Sequence, residues 1–284
     1  MSQRVFKISP TSLVLLSIAS TQLGSAIAKS LFTVLSPAAV VLLRVGFAAV
    51  VLLAFWKPTF KGLRRDSYVA VVLFGLSLAL MNLSFYLAIE RIPIGIAVAL
   101  EFVGPLGVAI ANSRRLVDIL WIVLAAAGIV LLAPIGGLVL DSAGIALALV
   151  AGGFWAAYII LSARVGQALA GGTGLALAMS VAVIALLPIG IAAGGATLLN
   201  PRLLLIGFGV AILSSALPYS LELEALRAMP MRVFGVLLSV EPVAAALIGF
   251  VVLQETLEMR ATIAILLITI AAVGASISAG RKSN

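Results

Sequence analysis

A chain of 284 residues with 63% hydrophobic and only 10% charged side chains, and a mean hydropathy of +1.29, cannot cover a water-soluble surface; soluble domains carry about 25% charged residues. With neither cysteine nor histidine, disulfides, thiolate chemistry, the usual zinc sites and an imidazole base are excluded. The net charge of +8 fits either a nucleic-acid surface or the cytoplasmic loops of a membrane protein, and its distribution decides between them.

The first stretch, "MSQRVFKISPTSLVLLSIAS", is basic and then apolar, as in a signal peptide. The apolar run continues past Ala28 without a small-residue cleavage site, which makes it a retained first span. A span needs about 20 mostly apolar residues. Charge clusters and Gly/Pro punctuation predict ten of them, at 13–35, 38–56, 68–89, 94–112, 116–134, 144–163, 174–195, 203–223, 232–253 and 261–280. The connections are short, so consecutive helices are antiparallel neighbours. With the N-terminus in the cytoplasm, thirteen of the 18 Lys and Arg residues fall in inner segments. Only Arg91, Arg202 and Arg260 fall outside, and Lys29 and Arg44 lie within spans. This bias predicts both termini in the cytoplasm and explains the basic charge without nucleic acid.

The chain also repeats itself. When "AIERIPIGIAVALEFVGPLGVAI" is set over "ALRAMPMRVFGVLLSVEPVAAAL", Pro93 falls on Pro230, Pro105 on Pro242 and Ala88 on Ala225. A looser match sets "TQLGSAIAKSL" over "FWAAYIILSAR". Residues 1–140 and 141–284 then form two five-span halves. Five is odd, so the second half is expected upside down relative to the first. Inverted repeats recur in secondary transporters, with the substrate site at the repeat interface near the midplane.

At this level of organisation the sequence resembles the drug/metabolite transporters of the EamA type. Within them it is most similar to the bacterial threonine/homoserine exporter group. The residues that carry the likeness are "IAKSLF", "GIAVALEFVGPL", "SRRLVD", "WAAYIILS", "AILSSALPYSLE" and "VLQETL", with an "EP" element in the ninth span. The resemblance implies an all-α basket of ten transmembrane helices around a central cavity, in a bacterial inner membrane. It also implies that the fifth and tenth spans stand apart, as a surface for a homodimer. The expected partners are an amino-acid substrate and the bilayer.

Glu101 is the first candidate for a binding role. An ionised carboxylate at the centre of a membrane helix costs about 2.5–3.5 kcal/mol, so it must meet water, a cation or a substrate ammonium. A structural pairing with Arg, or with backbone freed by Pro105, is the alternative. Pro105 removes the N–H that would bond the carbonyl of Glu101, and that carbonyl is then expected to face the cavity as an acceptor for an amine. Glu241, beside Pro242, is the repeat-related acid and reads as structural. Asn82 and Tyr86 share one helix face. Trp155 and Tyr158 share another, with Ser162 a turn beyond, as an apolar wall or as helix packing.

Gln22, Ser25 and Lys29 also share a face. Lys29 either snorkels to the outer surface or attracts a substrate carboxylate. Arg44 reads as structural. Tyr219, Ser220 and Glu222 follow Pro218, with Glu222 close to the cytoplasmic interface. Hinges are expected at Pro93, Pro105, Pro218, Pro230 and Pro242. No nucleotide motif, triad or metal-ligand spacing occurs, so no enzyme, metal or cofactor is expected. The function expected is export of amino acids or similar small metabolites by alternating access. A membrane scaffold without transport, a lipid-directed membrane enzyme, and an exporter of nucleotides or drug-like compounds remain open at this level.

Overall fold

The computed structural model describes residues 9–58, 65–111, 117–132, 140–169, 171–229 and 231–280. They form thirteen α-helices: α1 (Pro10–Ser30), α2 (Pro37–Trp56), α3 (Arg65–Arg91), α4 (Ile94–Glu101), α5 (Val103–Ala111), α6 (Val117–Leu132), α7 (Ser142–Ala168), α8 (Thr173–Gly194), α9 (Pro201–Ala211), α10 (Leu217–Ala228), α11 (Met231–Leu238), α12 (Glu241–Leu253) and α13 (Met259–Gly280). Polar caps start several of them. The side chains of Ser9, Ser36 and Asn200 each accept a backbone N–H of the first turn, and each is followed by proline. Proline suits that position because its missing N–H would have no helical partner there.

Seven helical runs are long and apolar enough to cross a bilayer: Pro10–Thr33, Pro37–Trp56, Ser67–Arg91, Ser142–Ala168, Thr173–Leu199, Pro201–Glu222 and Phe234–Leu253. Shorter apolar helices lie at Ile94–Val108, Ile119–Leu131 and Met259–Gly274. Each predicted segment therefore falls on helix. Large apolar side chains such as Phe55, Ile184, Leu205 and Val251 point outward and exposed, as they do on a bundle dissolved in lipid.

Three predicted segments are interrupted. The fourth breaks at Phe102 between α4 and α5, and the ninth breaks at Ser239 and Val240 between α11 and α12. The eighth contains a π-turn at Ile212–Ala216. The described prolines expected as hinges lie at or near helix starts instead of in helix interiors. Pro93 is the N-cap of α4, and Pro105 is the third residue of α5. Pro218 and Pro242 are second residues of α10 and α12. Pro230 lies outside the described residues. The proline that does sit inside a helix, Pro188 of α8, carries no expectation from the sequence.

Helix boundaries recur at a displacement of 137 positions. α4 runs 94–101 and α11 runs 231–238; α3 ends at 91 and α10 at 228. α2 spans 37–56 and α8 spans 173–194, within one residue of the same shift. The packing is mostly between the two halves. α3 lies along α7 and α1 along α10; α5 lies on α7 and α12 on α1; α2 meets α8 and α6 meets α13.

The joint between α4 and α5 is pressed onto α7. Gly104 and Gly152 meet backbone to backbone, and a Cβ on Gly152 would stand 2.6 Å from the carbonyl oxygen of Glu101. Small residues allow such approaches in membrane bundles. Gly152→Ala must therefore push α7 off the joint. Overpacking of this kind costs about 1–3 kcal/mol, so the variant is expected to melt several degrees below wild type in detergent. An unchanged melting temperature would show that the joint yields freely.

Candidate functional site

The interior holds a set of polar side chains that an apolar bundle keeps only at a cost. Arg44, on α2, is 6% exposed. Its Nε donates to the Ser215 hydroxyl at 3.0 Å, its Nη1 to the Tyr86 hydroxyl at 3.1 Å and its Nη2 to the Ser214 carbonyl at 2.8 Å. The guanidinium also lies 5.3 Å from the centre of the Tyr86 ring, within cation–π range. Ser214 and Ser215 belong to the π-turn of the eighth segment. A π-turn places an extra residue in the helix and often marks a functional position.

Glu101, the last residue of α4, is 8% exposed. Its charge is within electrostatic reach of Glu241 and Arg44, yet no carboxylate among the described residues comes within 4.0 Å of the guanidinium. Glu241 starts α12 and accepts from Nε2 of Gln22 at 2.8 Å. That bond orients the Gln22 amide and leaves its buried Oε1 without a hydrogen-bond partner among the described residues. Glu222 of α10 accepts from the Ser17 hydroxyl at 2.6 Å. Tyr219 lies within reach of Arg44, Glu101, Glu222 and Glu241, and Tyr158 within reach of Tyr219 and Glu222. Helices α1, α2, α4, α7, α10 and α12 thus converge on one polar cluster.

The structure places several of the expected residues in or beside this cluster. Arg44, read from the sequence as structural, belongs to this cluster through Ser214, Ser215 and Tyr86. Glu222 belongs with the cluster too, through Ser17 and the two tyrosines. The carbonyl of Glu101 does not face an open space: it is covered by the Cα of Gly152. Pro105 does free this carbonyl, but α7 occupies the space in front of it. Tyr86 is fully buried, held by Arg44 and stacked near Phe32 and Phe85. Asn82 is buried and donates to the carbonyl of Leu78 in its own helix. Trp155 meets Phe102 edge-on at 4.8 Å, directly at the α4–α5 joint, while Tyr158 meets Phe74 at 5.2 Å. Ser25 is buried on α1, and Ser162 donates to Ile159 within α7. Ser220 is exposed and donates to Ala216 in its own helix, away from the cluster.

Lys29 is held in an ion pair with Glu255. Its Nζ donates to Oε1 of Glu255 at 2.6 Å and to the carbonyl of Ile92 at 2.9 Å. The other oxygen of Glu255 accepts the N–H of Ile94 at 3.0 Å, at the start of α4. Gln254, in the left-handed region at φ 56°, turns the chain after α12, just before Glu255. One ion pair thereby ties together α1, the α3–α4 joint and the segment between α12 and α13. Among the described residues no three acidic groups converge to hold a metal ion.

The model of the EamA-like transporter family matches residues 142–277. The chain is 42% identical over 275 residues to the threonine/homoserine exporter RhtA of Salmonella typhimurium (strain LT2), covering 96% of this chain and 93% of that one. It is 41% identical over 276 residues to the threonine/homoserine exporter RhtA of Escherichia coli (strain K12), with the same coverage. A crystal structure of a protein 20% identical to this one matches it with a TM-score of 0.64, over 96% of this chain and 99% of that one. At that identity the likeness is one of fold.

Proposed function

The chain belongs to the EamA-like transporter family, and on that premise we propose that it exports threonine, homoserine and amino acids of similar size across a bacterial inner membrane. The observation that carries this reading is Glu101. It is a buried carboxyl group at a helix break, and no side-chain hydrogen bond or ion pair holds it among the described residues. A group that expensive to bury is retained for a ligand that completes it. The ammonium group common to amino acids does so, and the identity of more than 40% to exporters of threonine and homoserine directs the choice of substrate.

In this reading the ten apolar segments all cross the membrane, with both termini in the cytoplasm, and the two halves form an inverted repeat. The shared displacement of helix ends and the exchanged packing partners support that relation. Export proceeds by alternating access, the halves rocking about the cluster. The Lys29–Glu255 pair then lies at the outer end and closes it. Discontinuous helices at the midplane suit such a site, because their free backbone ends line it.

Export is tested in cells that lack their own threonine and homoserine exporters. Expression is expected to raise tolerance to added homoserine and to lower the internal threonine pool. Unchanged tolerance and pool at normal protein levels would refute the reading. Topology has a separate check, which is clean because the chain has no cysteine. A cysteine placed at Ser283 is expected to react with an impermeant thiol reagent only after the cells are opened. Reaction in intact cells would overturn the assigned orientation.

A further inference from the structure

We propose that Arg44 is the receptor for the α-carboxylate of the transported amino acid, so that Arg44 and Glu101 together read a zwitterion. The inference rests on the export reading given above. Its starting point is an imbalance of charge. A buried cation is ordinarily paired with an anion, yet every hydrogen-bond acceptor of the Arg44 guanidinium is neutral: the hydroxyls of Ser215 and Tyr86 and the carbonyl of Ser214. These contacts solvate the charge and hold the side chain in one position without neutralising it. A guanidinium has five N–H donors, and three are engaged here, so one remains on each terminal nitrogen.

Glu101 is the mirror case, a carboxyl group near enough to feel Arg44 but not paired with it. The guanidinium and the carboxyl group sit in one cluster and are kept apart. In an amino acid the ammonium and carboxylate hang from one carbon and present the complementary pair. The arrangement recognises the class of free α-amino acids, and it disfavours amines, which give the guanidinium no acceptor, and amides, which give it an acceptor without charge. Tyr86 and Ser215 are positioning residues, since they act on substrate only through Arg44. The π-turn matters because it supplies both Ser214 and Ser215 to the same guanidinium.

The test is competition against labelled L-threonine on the purified full-length protein, with unlabelled L-threonine and L-threonine amide as the two probes. The amide keeps the ammonium and side chain but loses the negative charge. Wild type is expected to prefer the free acid by about tenfold or more, the usual worth of a charge-assisted bond to carboxylate. In Arg44→Gln, that preference should collapse to near unity while amide binding survives. A merely structural arginine would lose both ligands together. Tyr86→Phe, which removes one neutral anchor and keeps the charge, is expected to weaken the acid severalfold and leave the amide unchanged. If Arg44→Gln does not fold, Tyr86→Phe decides the matter, and equal losses for acid and amide overturn the proposal. So does a wild-type protein that binds acid and amide equally, which leaves the export reading standing. A wild-type protein that binds neither overturns both.

Discussion

Glu101→Gln is expected to cut export of labelled threonine on the order of 10- to 100-fold while leaving the protein folded and inserted. Glutamine matches the shape of glutamate and keeps its hydrogen-bonding capacity, so the change isolates the charge. Hydrogen bonds to charged groups are worth about 1.5–3 kcal/mol, and each 1.4 kcal/mol is about tenfold in affinity. The side chain is buried at the end of α4 with Glu241 and Arg44 in electrostatic reach, where water screens little. The measurement is efflux from preloaded inverted or reconstituted vesicles, with size-exclusion behaviour as the control for folding. Normal export would remove Glu101 from recognition. A variant that fails to insert would show instead that the carboxylate holds helices together.

Bridging positions 29 and 255 is expected to stop export completely. Lys29 and Glu255 meet at 2.6 Å, and Glu255 also bonds the N–H of Ile94, so the pair joins the two halves at the proposed outer end. A transporter that alternates must break this contact to release substrate outward. The double variant Lys29→Cys, Glu255→Cys can be linked by a short bifunctional thiol reagent without interference, because no other cysteine is present. The linked protein should be inactive, and reductive cleavage of the linker should restore export. Without the linker, the double variant should still export, since the pair closes the outer end and does not bind substrate. Full activity of the linked protein would contradict the closure role. Inactivity before linking would return Lys29 to the substrate, as its place on the face of Gln22 and Ser25 first allowed.

What could be read from the sequence follows from range. Hydropathy and turn residues act locally, so each apolar segment falls on helix, and the register of Pro105 with Pro242 points to the joints at Phe102 and at Ser239 and Val240. Exact break positions were not legible. Proline is as acceptable in the first turn of a new helix as it is disruptive in the middle of an old one, and the sequence alone does not say which applies. Partnerships across the chain were hidden for a different reason. The contact between the Glu101 carbonyl and Gly152 depends on how α7 crosses the joint. The Lys29–Glu255 bond spans 226 positions. Arg44 reads as structural in the sequence, and its partners are not visible there, because Ser214, Ser215 and Tyr86 come from two other segments. The signal that could have found it is the one used for Glu101, namely the cost of a charge within a span, applied with equal weight to a cation.

The proposed transport carries an amino acid through the cluster around Glu101 and Arg44. Its most direct test is reconstitution of the purified protein into liposomes loaded with labelled L-threonine, with efflux followed alongside protein-free liposomes. Efflux that depends on the protein, saturates, and is inhibited by L-homoserine at markedly lower concentration than by L-threonine amide is the predicted result. Liposomes that retain the label as fully as the protein-free controls would contradict it.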